Sequence, residues 1–74
     1  MHDAIKQAIS DGLPGAEIDV LLDGNRALIT VISEVFRTMS RVQKQQAIYG
    51  CIQTFISDGS LHAVTIKAQT PDEV

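Results

Sequence analysis

The chain has 74 residues, 45% of them hydrophobic and 20% charged, and its formal net charge at pH 7 is -3. A chain of this length forms a single small domain, residues 1–74, whose core is too small to enclose a large active site. The acidic balance disfavours a dedicated nucleic-acid binder, the single cysteine excludes an internal disulfide, and no apolar run approaches the ~20 residues of a membrane span. We therefore expect a protein of the reducing cytoplasm.

A short helix is predicted near the N-terminus. Ile5, Ala8 and Ile9 recur at helical spacing. Asp3 precedes them and is interpreted as the N-cap of this helix. Residues 12–15 include two glycines and one proline, so the helix is predicted to end there.

Two strands joined by a tight turn are predicted next. Ile18, Val20 and Leu22 occupy alternate positions, as in a strand with one buried face. Residues 27–32 are apolar and β-branched, which favours a second strand. The turn residues between the two strands are Asp23, Gly24, Asn25 and Arg26. Because glycine and asparagine tolerate the positive φ angles of tight turns, the pattern predicts an antiparallel β-hairpin.

The second half of the chain opens with a signal for the start of a helix. Ser40 and Gln43 fit a capping box, in which the serine hydroxyl and the glutamine amide each satisfy a free backbone N–H group. The strongest apolar stripe at helical spacing follows and consists of Ile48, Ile52, Phe55 and Ile56. Gly50 lies inside this stripe, so we predict a break there that divides the segment into two helices.

The last predicted strand covers residues 61–68, with His62 at its start. Thr70, Pro71 and Glu73 then form a second capping signature, with proline at the favoured first position of a helix. The order of elements is α-β-β-α-α-β. This order predicts the α+β class, as a two-layer sandwich in which a three-stranded sheet has its helices on one face.

Two tracts of the sequence resemble the BolA family. Residues 61–73 read LHAVTIKAQTPDE, and residues 39–50 read MSRVQKQQAIYG. The resemblance extends over residues 18–73 and is to the acid-stress branch of the family, the IbaG-like proteins. It implies the class II KH-like arrangement of that family, with the same α-β-β-α-α-β order, and an adaptor function without catalysis.

His62 has two interpretations. From spacing alone, it is a neutral imidazole that satisfies a backbone group at the start of a strand. The resemblance implies another role, because the histidine of the matching tract in BolA-like proteins ligates a 2Fe-2S cluster shared with a monothiol glutaredoxin and its glutathione. A single histidine cannot hold a cluster alone. We therefore expect no cluster in the isolated protein, which is a monomer that forms a heterodimer with this partner.

The hairpin turn completes the partner-binding surface that the resemblance implies. This surface comprises Asp23, Gly24, Asn25, Arg26 and His62. In family members the turn also supplies a second cluster ligand, a histidine or a cysteine, and Arg26 occupies the matching place here. Arginine cannot ligate iron, and Asp23 and Asn25 offer only hard oxygen ligands. Three options follow: a weaker cluster, docking without a cluster, or a ligand borrowed from the partner.

Cys51 is the one thiol of the chain. It shares the apolar helical stripe with Ile48 and Ile52, which indicates that it packs in the core as a small hydrophobic residue. If a helix instead began just after Gly50, the thiol would lie near a helix N-terminus and would have a lowered pKa.

A DNA-binding stress-response regulator is the alternative function. Residues 35–57 contain no acidic residue and three basic ones, Arg37, Arg41 and Lys44, which could contact phosphates. A third hypothesis is a structural interaction domain in which His62 is incidental. No recognisable constellation of nucleophile and base is formed by the serines and the two histidines, His2 and His62, so we predict that the protein is not an enzyme.

Overall fold

The computed structural model describes residues 2–73, which form two α-helices, a three-stranded sheet and two short 3-10 helices. In chain order the elements are α1 (His2–Gly12), β1 (Glu17–Asp23), β2 (Arg26–Ile32), the first 3-10 helix (Glu34–Thr38), α2 (Arg41–Ser57), β3 (Ala63–Gln69) and the C-terminal 3-10 helix (Pro71–Glu73). The predicted α+β class and the predicted three-stranded sheet are confirmed.

The sheet is mixed and has the strand order β1-β2-β3. β1 and β2 are antiparallel, whereas β2 and β3 are parallel, in a register that pairs Arg26 with Ala63 and Ile29 with Ile66. Alternate residues of each strand face the helices, so Val20 on β1 and Ile29 on β2 are buried. Helices α1 and α2 pack against this face, and Leu21, Leu28 and Thr65 are exposed on the opposite face.

The core between the sheet and the helices is almost entirely aliphatic. Its buried residues are Ile5, Ile9, Val20, Ala27, Ile29, Val31, Phe36, Ile48, Ile52 and Leu61. Each large side chain contributes about 1.5–3 kcal/mol by leaving water, so these few residues hold the two layers together. Within residues 2–73, no helix combines the length and the apolar character that a membrane crossing requires.

Helix α2 is continuous, so the predicted break at Gly50 is wrong. Gly50 is exposed, whereas Ile48 and Ile52 on either side of it are fully buried in the core. A glycine inside a helix costs about 1 kcal/mol, and the burial of two isoleucines at about 1.5–3 kcal/mol each outweighs this cost. Two helical segments do lie between β2 and β3, but they are separated at Met39 and Ser40.

The capping box at the start of α2 is confirmed, whereas the predicted cap of α1 is wrong. Ser40 Oγ accepts a hydrogen bond from Gln43 N–H at 3.2 Å, and Gln43 Oε1 accepts one from Ser40 N–H at 2.8 Å. Helix α1 already includes His2, so Asp3 lies inside its first turn and does not precede it. There the Asp3 carboxylate still interacts favourably with the positive end of the helix dipole.

β3 begins at Ala63, two residues later than predicted. Leu61 is only 2% exposed, and its N–H group donates to Phe55 O at 3.1 Å. This residue therefore closes the core next to the end of α2 and does not join the sheet. His62, which follows it, is exposed.

The C-terminal residues are held by a capping interaction at the position that the sequence predicted. The Thr70 N–H and Oγ1 groups donate to Glu73 Oε1 at 3.0 and 2.7 Å. Pro71 occupies the first position of the C-terminal 3-10 helix, where its missing N–H group costs no hydrogen bond.

A charged interaction joins the two 3-10 helices. Arg37 on the first 3-10 helix donates to Glu34 at 2.9 Å and to Asp72 on the C-terminal 3-10 helix at 2.9 Å. We call Glu34, Arg37 and Asp72 the arginine clamp. The three side chains are exposed, so the clamp fixes the direction of the chain end more than it adds to the free energy of unfolding.

Gly50→Ala is expected to stabilise the protein. A β-carbon at Gly50 would meet no atom of the described residues within 4 Å, and alanine is favoured over glycine in a helix by about 0.5–1 kcal/mol. We expect the free energy of unfolding, measured by urea titration, to rise by about this amount. A decrease would contradict the continuous helix, because a break at Gly50 would use the backbone freedom of glycine.

Gly12→Ala is the contrasting variant, because Gly12 is the last residue of α1 and lies against α2. A β-carbon at Gly12 would lie 2.5 Å from Cys51 Sγ, so α1 and α2 would have to move apart or the thiol would have to rotate. Overpacking of this kind destabilises by about 1–3 kcal/mol. The urea titration should therefore show a lower free energy of unfolding, and the double variant Gly12→Ala/Cys51→Ala should recover part of it.

The arginine clamp should make stability depend on pH in acid. Hydrogen bonds, first from Arg37 and then from Thr70, lower the pKa of Asp72 to about 2, from its usual value of 3.8. The clamp therefore stabilises the folded state above about pH 4, and its contribution is lost as the pH falls towards about 2. We expect Arg37→Gln to lower the urea midpoint at neutral pH, and the difference from wild type to disappear at about pH 2.

The control for the clamp is Arg41→Gln. It removes one cation that has no ion-pair partner among residues 2–73. Its effect on the urea midpoint should not change over the same acid range. An equal change in both variants would mean that the total charge, and not the clamp, causes the pH dependence.

Candidate functional site

The β1–β2 turn and His62 lie side by side at one end of the sheet. The parallel register of β2 and β3 sets Ala63 opposite Arg26, so the residue before Ala63 lies next to the turn. The His62 N–H group donates to Asn25 O at 2.9 Å, and the Ala63 N–H group approaches the same oxygen at 3.4 Å. The structure therefore brings together the predicted partner-binding residues. We call this surface the His62 edge; it comprises Asp23, Gly24, Asn25, Arg26 and His62.

The sequence of the turn explains its shape. Gly24 and Asn25 connect Asp23 to Arg26, which are paired across the hairpin. Gly24 has a φ of +61°, and Asn25 has a negative φ. A glycine with positive φ at the first of two central positions is the pattern of a type II′ turn, whose twist matches that of the flanking strands. All residues of the His62 edge are exposed, so a partner can reach each of them.

A hydrogen bond anchors the backbone of His62, whereas its imidazole ring has no hydrogen bond among residues 2–73. Among residues 2–73, the hydrogen bonds of His62 come from its backbone N–H group, and none involves the imidazole nitrogens. The interpretation from spacing alone proposed that the ring satisfies a backbone group. The ring makes no such hydrogen bond within the described part of the chain. An exposed ring on an anchored backbone is available to an external group.

The His62 edge offers one side chain that is suited to ligating a metal cluster, the His62 imidazole. A 2Fe-2S cluster takes four ligands, which are thiolate or imidazole groups. No group of three or more histidine, cysteine, aspartate or glutamate side chains among residues 2–73 could hold a metal ion. Arg26 cannot ligate iron, and the hard oxygens of Asp23 and Asn25 are poor ligands for the iron of a 2Fe-2S cluster. The described part of this chain could contribute the His62 imidazole to a cluster whose other ligands come from elsewhere.

Cys51 lies in the middle of α2 and cannot supply the missing ligand. It is half-buried against the core, and its Sγ donates to Ala47 O at 3.3 Å. Burial raises the pKa of the Cys51 thiol, so the thiolate that binds iron is disfavoured. The interpretation as a core residue agrees with this position. The alternative of a reactive thiol near a helix N-terminus is wrong, because α2 does not begin at Gly50.

Of the three basic residues of the nucleic-acid alternative, one is neutralised by ion pairs and two line a groove. The Arg37 guanidinium is paired with two carboxylates in the arginine clamp. Arg41 and Lys44 line a groove of about 390 Å³ between α2 and β3, and Arg37 does not line it. Lys67 on β3 lines the same groove, although sequence reasoning did not select it. Only the pairing of the sheet brings Lys67 close to α2, so no local signal could have identified it.

The positive charge of the groove is partly neutralised by a carboxylate that lines it. The Glu73 carboxylate lies 3.9 Å from Lys44 Nζ and lines the groove. Hydrogen bonds from Thr70 lower the pKa of Glu73, so the carboxylate is charged over the whole neutral range. Three cations and one anion leave a modest positive charge, which supports only weak electrostatic binding of a polyanion.

The fold matches solved structures of BolA proteins. BolA1 from Arabidopsis thaliana superposes with a TM-score of 0.87 at 20% identity, over 99% of this chain and 94% of that chain. The BolA domain of SufE1 from Arabidopsis thaliana gives a TM-score of 0.87 at 26% identity, with the same coverage of 99% and 94%. These superpositions confirm the fold that the sequence resemblance implied.

The sequence comparisons agree with the structural ones. The chain is 39% identical over 72 residues to the acid stress protein IbaG of Escherichia coli (strain K12). The aligned residues cover 97% of this chain and 86% of that protein. It is 33% identical over 69 residues to an uncharacterized protein of Haemophilus influenzae. The aligned residues cover 93% of this chain and 81% of that protein. The family model for BolA-like proteins matches residues 26–73, a span that includes β2, α2, β3 and His62. This chain therefore belongs to the BolA family.

Proposed function

We propose that this protein is a non-catalytic adaptor, which docks a monothiol glutaredoxin through the His62 edge and modulates the assembly or trafficking of a 2Fe-2S cluster in the cytoplasm. The observation that carries the proposal is the exposed imidazole of His62, a residue whose backbone N–H group donates to Asn25 O beside the turn. The BolA family is in general one of regulatory and adaptor proteins. Similarity to the acid stress protein IbaG supports a place in a stress response.

His62 is the residue to which we assign cluster ligation. A neutral imidazole nitrogen is a borderline-soft ligand, and it raises the potential of a 2Fe-2S cluster relative to a thiolate. The anchored backbone fixes the position of this residue before the partner arrives, so only the side-chain rotamer remains to be ordered on binding. The glutaredoxin and its glutathione supply the remaining ligands, so the cluster is a shared cargo and not a resident group of this chain.

Arg26 affects how firmly the proposed adaptor holds the cluster. The turn offers a guanidinium in place of a second soft ligand, so this chain contributes one ligand and the cluster is held less firmly. The same guanidinium can form a charge-assisted hydrogen bond with a carboxylate of the partner. The turn then serves docking, and weak retention suits a protein that passes a cluster on.

A DNA-binding stress-response regulator is the second candidate function. The groove lined by Arg41, Lys44 and Lys67 is the observation that favours it. Binding of this kind would weaken steeply with salt, and neutralising the three cations would remove most of the salt dependence. Arg37, which belongs to the arginine clamp, should contribute little to such binding.

The proposal predicts that His62→Ala changes the cluster-bound complex. The protein is reconstituted anaerobically with a monothiol glutaredoxin, iron, sulfide and glutathione, and the complex is followed by visible absorption and circular dichroism. Wild type should give a heterodimer spectrum that differs from that of the glutaredoxin homodimer. His62→Ala should lose or shift these bands, because the imidazole ligand is gone.

His2→Ala is the matched control for this experiment. His2 is the other histidine of the chain, and it is exposed on α1. This variant should give the wild-type spectrum. If His62→Ala also gives the wild-type spectrum, His62 is incidental and the chain is a structural interaction domain. If only the glutaredoxin homodimer spectrum forms with wild type, the cluster role is wrong for this protein.

A further inference from the structure

The open face of the sheet has an apolar centre. Leu21 on β1 is 57% exposed and Leu28 on β2 is 40% exposed, although both are large aliphatic residues. They are directly opposite each other across the hairpin, and Thr65 on β3 pairs with Leu28 on the other side. These three residues therefore form one row across all three strands, on the face that no described helix covers.

A shallow notch of about 200 Å³ connects this row to the His62 edge. Its lining includes Leu21, Leu28 and Thr65, and also Asp23 and Arg26 from the turn. Side chains two residues apart on a strand point to the same face, so Arg26 and Leu28 are neighbours on β2, as are Leu21 and Asp23 on β1. The apolar row and the polar turn are thus parts of one continuous surface.

The His62 edge alone is too small to hold a protein partner. Specific interfaces bury about 800 Å² on each side and involve roughly 20–30 residues. Their binding energy comes mainly from a few central contacts in well-packed pockets. The His62 edge has five residues, all of them polar or glycine. A partner seated on it must also cover neighbouring surface, and that surface should include an apolar centre.

The other exposed aliphatic residues do not offer such a centre. Val42 is 62% exposed but lies in the first turn of α2, and it lines neither the notch nor the turn. Val35 is 45% exposed on the first 3-10 helix, next to the end of β2 that is farther from the turn. Within residues 2–73, Leu21 and Leu28 are the large exposed hydrophobic residues that adjoin the His62 edge.

We infer that Leu21 and Leu28 form the apolar half of the docking surface for the glutaredoxin, and that the notch takes an apolar side chain of this partner. The inference rests on the proposed function. Asp23 and Arg26 on the rim offer one charge of each sign, which sets the orientation of the partner. Docking on the leucines requires no iron, so the complex forms without a cluster and His62 then adds its ligand. Affinity and ligation are thereby carried by different residues.

The test measures binding of the iron-free glutaredoxin by calorimetry, with wild type, Leu21→Thr and Leu28→Thr. Threonine is β-branched and is favoured in strands, so both variants should fold, which far-ultraviolet circular dichroism checks. We expect each variant to raise the Kd about tenfold or more, as loss of a central apolar contact does. The matched control Val42→Thr replaces an even more exposed aliphatic residue and should leave the Kd unchanged.

Two results would overturn the inference while leaving the proposed function intact. One is an unchanged Kd in both leucine variants, when His62→Ala still alters the cluster spectrum. The other is concentration-dependent self-association of wild type that Leu28→Thr abolishes without effect on glutaredoxin binding, which would assign the leucines to a second copy of this chain. If wild type binds glutaredoxin neither with nor without the cluster, the proposed function and this inference are both wrong.

Discussion

The parallel pairing of β2 with β3 is the constraint on which the site depends. Its register sets Ala63 opposite Arg26 and so brings the His62 N–H group within 2.9 Å of Asn25 O. Leu61 supports this register from the core side. Its buried side chain anchors the backbone at the residue that directly precedes the exposed His62. A slip of one residue that brought His62 to the place of Leu61 would bury the imidazole in the core. The exposed histidine is therefore a consequence of the buried leucine beside it.

The helices cover one face of the sheet, so the core residues and the exposed leucines lie on opposite faces. In a chain this small the helix-covered face, with residues such as Val20 and Ile29, provides most of the apolar burial. Leu21 and Leu28 on the open face alternate with these core residues along the same strands. Period-two alternation thus places core residues on one face of each strand and exposed residues on the other. Changes on the open face should therefore have little effect on folding.

The distribution of charge along the chain differs from its distribution in space. Residues 35–57 are purely basic in sequence, yet Glu34, just outside that segment, and Asp72, far along the chain, both bind Arg37. Lys67 is isolated in sequence but joins the groove beside α2. The sheet and the C-terminal 3-10 helix therefore decide which cations are available, and a count of charges over a segment overstates the basic surface.

The sequence by itself determined the elements whose signals act over a few residues: the hairpin turn at Gly24, the capping box of Ser40 and Gln43, and the tract around His62 that identifies the family. Tertiary structure decided the rest. Gly50 reads locally as a helix breaker, but α2 continues through it because residues on both sides are buried against the sheet. The same continuity places Cys51 in mid-helix, as a half-buried thiol. The contact of His62 with the turn depends on strand pairing between distant segments, and no local pattern encodes that pairing.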